Sequence, residues 1–160
     1  MPSHDKCGLI SRCFGKFNEL IDWVFPTADS VRPVEIANVG MLWSFSIIFI
    51  IGAADIILQY PYRGFSYVSS VWVWVAMFIL GSCCWLALVK KSLRSDRRSA
   101  IGLALSGVLF ISLSGLFASD YPPMSTAVPI YFLHGVMCLL ASVKRMKTVR
   151  VIADELANEG

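Results

Sequence analysis

Four long apolar runs constrain the fold of this chain more than any other feature of its sequence. They cover residues 37–58, 71–89, 100–118 and 124–143, and none of them holds more than one charged side chain. A helix of about 20 residues crosses roughly 30 Å of hydrocarbon, and it satisfies its own backbone hydrogen bonds in lipid. The sequence therefore predicts four transmembrane helices.

The composition of the chain agrees with this prediction. Hydrophobic residues make up 56% of the sequence and charged residues only 16%, whereas a soluble domain has about a quarter of its residues charged. Strands of a transmembrane barrel alternate apolar and polar residues, and the four runs do not. We expect an all-α integral membrane protein with one transmembrane bundle over residues 37–143. A cytoplasmic tail (1–36) precedes the bundle and a helical cytoplasmic tail (144–160) follows it.

The positions of the basic residues predict how the bundle is oriented. Of the fourteen lysines and arginines, all but Arg63 lie in the two tails or in the loop between the second and third runs. Cytoplasmic segments carry such an excess of positive charge, so both termini are expected to face the cytoplasm from the inner membrane. The basic residues of the loop are Lys90, Lys91, Arg94, Arg97 and Arg98.

The N-terminal tail contains a segment with the pattern of an amphipathic helix. Apolar residues recur every three or four positions over about residues 8–25, with charged and polar residues between them. The segment is too short and too charged to span a bilayer, which favours a helix lying in the cytoplasmic interface. Docking on a partner protein is the alternative.

Two ionisable side chains, Asp55 and His134, fall within the apolar runs. Such residues are rare in membrane spans and are candidates for function. Asp55 is three residues from the end of its run, whereas His134 is near the midplane, so their depths differ by about 8 Å. We expect His134 to bond to a serine on a neighbouring helix, with packing or gating as its role. The serines at that depth are Ser46, Ser82, Ser106 and Ser112.

The third run is the one best suited to close helix packing. Small residues let membrane helices approach each other, because lipid supplies no hydrophobic drive for association. We expect this helix at the centre of the bundle or at a homodimer seam. The small residues that we expect to pack are Gly102, Ser106, Gly107, Ser114 and Gly115.

Sequence motifs for catalysis or for cofactor binding are missing from the chain. It contains no H-E-x-x-H, no G-x-S-x-G and no phosphate-binding Gly–Lys loop. We therefore expect no enzymatic activity, no cofactor and no metal. The net charge of +3 reflects helix ends at an anionic leaflet, so nucleic acid is not an expected partner.

In length, four-span topology and lack of catalytic residues, the chain resembles small bacterial inner-membrane immunity and exclusion proteins. These include immunity proteins against pore-forming colicins and prophage superinfection-exclusion proteins. The resemblance implies a protein that blocks a membrane-active intruder, such as a phage ejection component or a toxin, by binding it. No motif carries over individual functional residues.

The predicted outer loops hold the side chains best suited to bind such a partner, because aromatic residues and arginine dominate binding hot spots. An aromatic belt at the membrane surface is the alternative role for them. Two other functions stay open, namely an oligomeric pore (a holin or a small transporter subunit) and an assembly factor. The outer residues are Tyr60, Tyr62, Arg63, Phe65, Tyr67, Asp120 and Tyr121.

Overall fold

The structure of the protein is a computed structural model that describes residues 15–57, 71–90, 92–118 and 127–158. These residues form helices without any strand. Helix α1 covers residues 15–24, and a short 3-10 helix, Asp29–Val31, leads into α2. The four long helices are α2 (Arg32–Ile57), α3 (Val71–Val89), α4 (Leu93–Ala118) and α5 (Ala127–Asn158).

Within these ranges, α2 to α5 are each long and apolar enough to cross a membrane. The structure thus agrees with the predicted all-helical, four-span class. Three of the helices extend beyond their apolar runs: α2 begins at Arg32 rather than 37, α4 begins at Leu93 rather than 100, and α5 continues to Asn158.

Helix α2 begins ahead of its apolar run, with a proline in its first turn. Proline is tolerated in the first turn of a helix, because the N–H that it lacks would have no intrahelical acceptor there. Pro33 is the second residue of α2, and Glu35 follows within the same first turn, where a negative charge is favourable. The helix therefore includes Glu35 and Asn38, which both become interior residues.

Helix α4 lies at the centre of the bundle and packs against α3 and α5. Half of its apolar stretch is buried, against 39% for α2 and 22% for α3 and α5. Gly107 and Gly135 mark the closest approach of α4 and α5: a Cβ added at Gly107 would lie 2.9 Å from the Gly135 carbonyl oxygen. Only residues without a side chain allow this crossing.

Aromatic rings fill the part of the core farthest from the α3–α4 loop. Phe49 of α2 stacks on Trp74 of α3 with ring centroids 4.2 Å apart. Tyr131 of α5 contacts Phe45 at 4.9 Å and Phe117 at 5.3 Å. All four long helices therefore contribute rings to this core.

Helix α1 packs on the bundle through one apolar face and through the charge of Asp22. Ile21 is buried, as is Phe25 just beyond the helix, and Asp22 accepts a hydrogen bond from Lys144 of α5 at 2.8 Å. Trp23 is 81% exposed, which leaves its ring available to lipid headgroups. Of the predicted amphipathic helix, residues 8–14 lie outside the described ranges.

Candidate functional site

A set of polar side chains joins α2, α4 and α5 inside the bundle, and we refer to it as the polar core. At one end, Arg145 of α5 makes two parallel hydrogen bonds to Glu35 of α2. Its Nε donates to Oε1 and its Nη2 donates to Oε2, both at 2.9 Å. Paired donors of this kind match the planar carboxylate and are among the stronger hydrogen bonds in proteins. The polar core consists of Glu35, Asn38, Ser99, Ser106, Cys138 and Arg145.

Helix α4 completes this ion pair. The Ser99 hydroxyl donates to Glu35 Oε1 at 2.6 Å, and Asp96 lies 4.0 Å from Arg145 Nη1. The Glu35 side chain is only 4% exposed and that of Arg145 11% exposed. A buried charge is costly unless it is paired and hydrogen-bonded, and here three helices supply the partners.

One turn further along α2, Asn38 continues the polar core. Its Nδ2 donates to Ser106 Oγ at 3.1 Å, and Ser106 in turn donates to the Gly102 carbonyl oxygen. The Cys138 thiol lies 3.7 Å from Asn38 Oδ1. Both polar groups of the Asn38 side chain therefore find partners on α4 and α5.

His134 lies where the polar core meets the aromatic core. Its Nε2 is 3.5 Å from Cys138 Sγ, one turn along the same helix. Its ring meets Phe110 of α4 edge to face, with centroids 4.8 Å apart. The expected bond to a serine is not among the contacts that the described residues give it. The physical reason is the rotation of α5, which places His134 beside an aromatic ring.

The four serines predicted at the depth of His134 do not form one group. Ser106 belongs to the polar core, while Ser46, Ser82 and Ser112 donate to the carbonyl oxygen four residues earlier in their own helices. Ser82 also lies 3.4 Å from Trp43 Nε1. Bonding within the same helix satisfies a hydroxyl without a neighbouring helix, so depth alone does not identify interhelical partners.

Of the small residues predicted for packing in α4, Gly102, Ser106, Gly107 and Ser114 are buried. Gly115 is exposed, and no atom lies within 4 Å of a Cβ added there. Four small residues thus face neighbouring helices, and one faces away from them.

The remaining predicted residues lie either near the α3–α4 loop (residues 90–92) or in parts of the chain outside the described ranges. Lys90 is exposed in the loop and Arg94, Arg97 and Arg98 are exposed in the first turns of α4, and Lys91 lies outside the described residues. The side chain of Asp55 also lies outside them, as do all seven outer-loop candidates: Tyr60, Tyr62, Arg63, Phe65, Tyr67, Asp120 and Tyr121.

Glu35, Asn38, Arg145 and Gly135 are not among the residues that the sequence pattern predicts to be functional. Glu35 and Arg145 lie outside the apolar runs, where charges usually mark helix ends. A signal for the α2 residues was present, since Glu35, Asn38, Leu42 and Phe45 recur at helical spacing and share the buried face.

A cleft of about 400 Å³ opens beside the ion pair. Apart from Lys90, the charged residues that line it are paired with each other, through Glu35 with Arg145, Asp96 near Arg145, and Asp29 with Arg32 at 4.0 Å. In the described ranges, no group of three or more His, Cys, Asp and Glu side chains is arranged to hold a metal ion. The contacts of the polar core hold α2, α4 and α5 together.

Comparisons with protein-family models, curated proteins and solved structures find no match to this chain.

Proposed function

We propose that this chain is a non-enzymatic inner-membrane protein that blocks a membrane-active intruder by binding it. The most concrete form of this function is phage superinfection exclusion, in which DNA entry across the inner membrane is prevented. The choice of a phage or toxin component as the partner rests on the resemblance in length and topology to exclusion and immunity proteins.

One observation carries the proposal: the interior of the bundle is occupied by its own side chains. Rings from all four long helices pack together in one half, and the hydrogen-bonded polar core occupies the other. A transport path needs a lined cavity or a broken helix at membrane depth. A bundle that is filled in this way offers its outer surfaces to a partner instead.

The exposed sides of the bundle supply such a surface. Ile47, Ile51, Leu105 and Val108 are all at least 47% exposed, which suits contact with lipid or with another membrane helix. Together with the predicted outer loops, these sides are where an incoming membrane protein would meet the chain.

The test is to express the chain in a bacterial host and challenge the cells with a panel of phages. We expect adsorption to stay normal while DNA entry of at least one phage falls, measured by the appearance of phage DNA inside the cell. Unchanged DNA entry for every phage, and unchanged killing by pore-forming toxins, would contradict the proposal once immunoblotting shows the protein in the membrane.

A pair of variants makes the test specific. Replacing Tyr60, Tyr62 and Arg63 together by Ala should abolish the block without changing the amount of protein. Arg97→Gln, near the start of α4, should retain it. Loss of membrane potential on expression alone would favour the pore alternative, and recovery of a stable host complex without any block would favour the assembly factor.

A further inference from the structure

A second groove lies between α3 and α4, and it differs in charge from the cleft beside the ion pair. Its volume is about 590 Å³. Three cationic residues, Lys90, Arg94 and Arg98, line it together with apolar and small side chains, and no acidic residue does. None of the three forms an ion pair with an acidic side chain in the parts of the chain that the structure describes.

The polarity of this groove changes along the helix axis. On α4, Arg94, Arg98, Ile101 and Leu105 follow one another at intervals of three or four residues, so they form one stripe. The stripe is cationic next to the α3–α4 loop and apolar about 10 Å further on. On α3 the polarity changes in the same direction, from Lys90 next to the loop to Leu80 further from it.

Such a groove matches an amphiphile whose charged end is negative. Arginine binds phosphate with two parallel hydrogen bonds, and basic pockets between membrane helices on the cytoplasmic side suit anionic headgroups. The apolar half makes no favourable contact with a free phosphate, but it can pack against an acyl chain. The cationic end therefore selects an anion, and the apolar half selects a lipid rather than a soluble anion.

We propose that the α3–α4 groove binds one anionic phospholipid. Its phosphate lies between Arg94 and Arg98 with Lys90 nearby, and an acyl chain lies along Ile101 and Leu105. This inference does not depend on the proposed function.

The experiment measures lipid binding by the full chain in a mild non-ionic detergent. Phosphatidylglycerol and phosphatidylcholine with identical acyl chains are added separately, and retained lipid is counted by native mass spectrometry. Thermal unfolding is followed in parallel by circular dichroism. We expect one phosphatidylglycerol per chain and a saturable rise in Tm, with phosphatidylcholine giving neither.

Two neighbouring arginines provide the matched control for the headgroup. Arg98 lines the groove, whereas Arg97 is exposed on the same first turns of α4 and does not. Arg98→Gln should weaken phosphatidylglycerol binding about tenfold, the loss expected for one charge-assisted hydrogen bond. Arg97→Gln should leave it unchanged. Equal weakening by both would overturn the proposal, because it would show diffuse attraction to a basic surface.

The acyl-chain half is tested by filling it. Leu105→Trp should reduce binding, and Val108→Trp should not, because Val108 is exposed on α4 outside the groove. Glycerol phosphate without acyl chains should not raise the Tm. If it stabilises the chain as much as the intact lipid, or if Leu105→Trp binds lipid normally, no acyl chain occupies the groove and the proposal is wrong.

Discussion

The ion pair of Glu35 and Arg145 joins residues that are 110 positions apart in the chain. Removing both charges of such a buried pair is often tolerated, whereas removing one leaves the other without compensation. The pair is therefore expected to matter more for which helices pack together than for total stability.

We predict that Arg145→Met lowers the free energy of unfolding by about 3–5 kcal/mol, because Glu35 stays buried without its guanidinium partner. Adding Glu35→Gln should recover part of this loss. The measurement is unfolding in mixed detergent and SDS micelles, followed by circular dichroism. Arg150→Met, an exposed change on the same helix, is the control. If the effects of the two core changes add to within about 0.5 kcal/mol, the two side chains are not coupled.

Asp22 gives a pH-dependent prediction. Its hydrogen bond from Lys144, aided by the charges of Lys144 and Lys147, holds the pKa of the Asp22 carboxyl below its usual value of 3.8. A carboxyl with a lowered pKa stabilises the docking of α1 above that usual value. This contribution is lost as the pH falls below 3.8 and through the native pKa.

The titration midpoint of Asp22 can be read from the carbon-13 shift of its carboxyl group by NMR. Lys144→Met should raise this midpoint toward 3.8, and Lys147→Met should raise it less, because its amine is 3.9 Å from the carboxylate against 2.8 Å for Lys144. An unchanged midpoint in Lys144→Met would show that the contact does not form in solution.

Among the helices, α4 and α5 form the pair whose packing depends most on the absence of side chains. A Cβ at Gly107 would lie 2.7 Å from Leu139 Cγ, and one at Gly135 would lie 2.8 Å from both the Gly107 carbonyl oxygen and Ile111 Cγ1. A Cβ atom added at either glycine would therefore push α4 and α5 apart.

We predict that Gly107→Ala and Gly135→Ala each destabilise the bundle by about 1–3 kcal/mol, the usual cost of overpacking. Gly115→Ala is the matched control on α4. It meets no atom and should be neutral or stabilising by up to about 1 kcal/mol, because alanine favours helix. Unfolding in mixed micelles distinguishes the variants. Equal stabilities of the three would contradict the crossing described here.

On the scale of the whole molecule, the ends of the described helices that carry basic residues come together. Glu35 and Arg145 connect the start of α2 to α5, and Ser95 donates to the Ala87 carbonyl oxygen across the α3–α4 loop. Ser99 and Asp96 of α4 also contact Glu35 and Arg145, so the described parts of the two tails (15–36 and 144–158) and this loop lie at one end of the bundle. The basic residues of this end predict that it faces the cytoplasm.

We predict that alkaline phosphatase fused after Gly160 is inactive, because this enzyme needs the oxidising periplasm to form its disulfides. A fusion after Ser66, in the predicted outer loop, should be active. Enzyme activity normalised to the amount of fusion protein is the measurement. An active Gly160 fusion would show that the C-terminus faces the periplasm, contrary to the predicted orientation.

The sequence by itself determined the class of the fold. Four apolar runs require helices in lipid whatever their neighbours are, because a single span satisfies its own backbone hydrogen bonds there only as a helix, and the runs lack the alternation of barrel strands. Small residues in α4 likewise indicated a packing helix, since only they let helices approach closely.

Only the tertiary structure decided which polar groups meet. The partner of Glu35, the joining of Asn38 to Ser106, and the meeting of Gly107 with Gly135 depend on the rotation and offset of helices far apart in the sequence. Depth along one helix does not fix its rotation against another, which is why His134 meets Phe110 and Cys138 rather than a serine. Lipid is equally apolar around every helix face, so side-chain packing and buried polar contacts set these rotations.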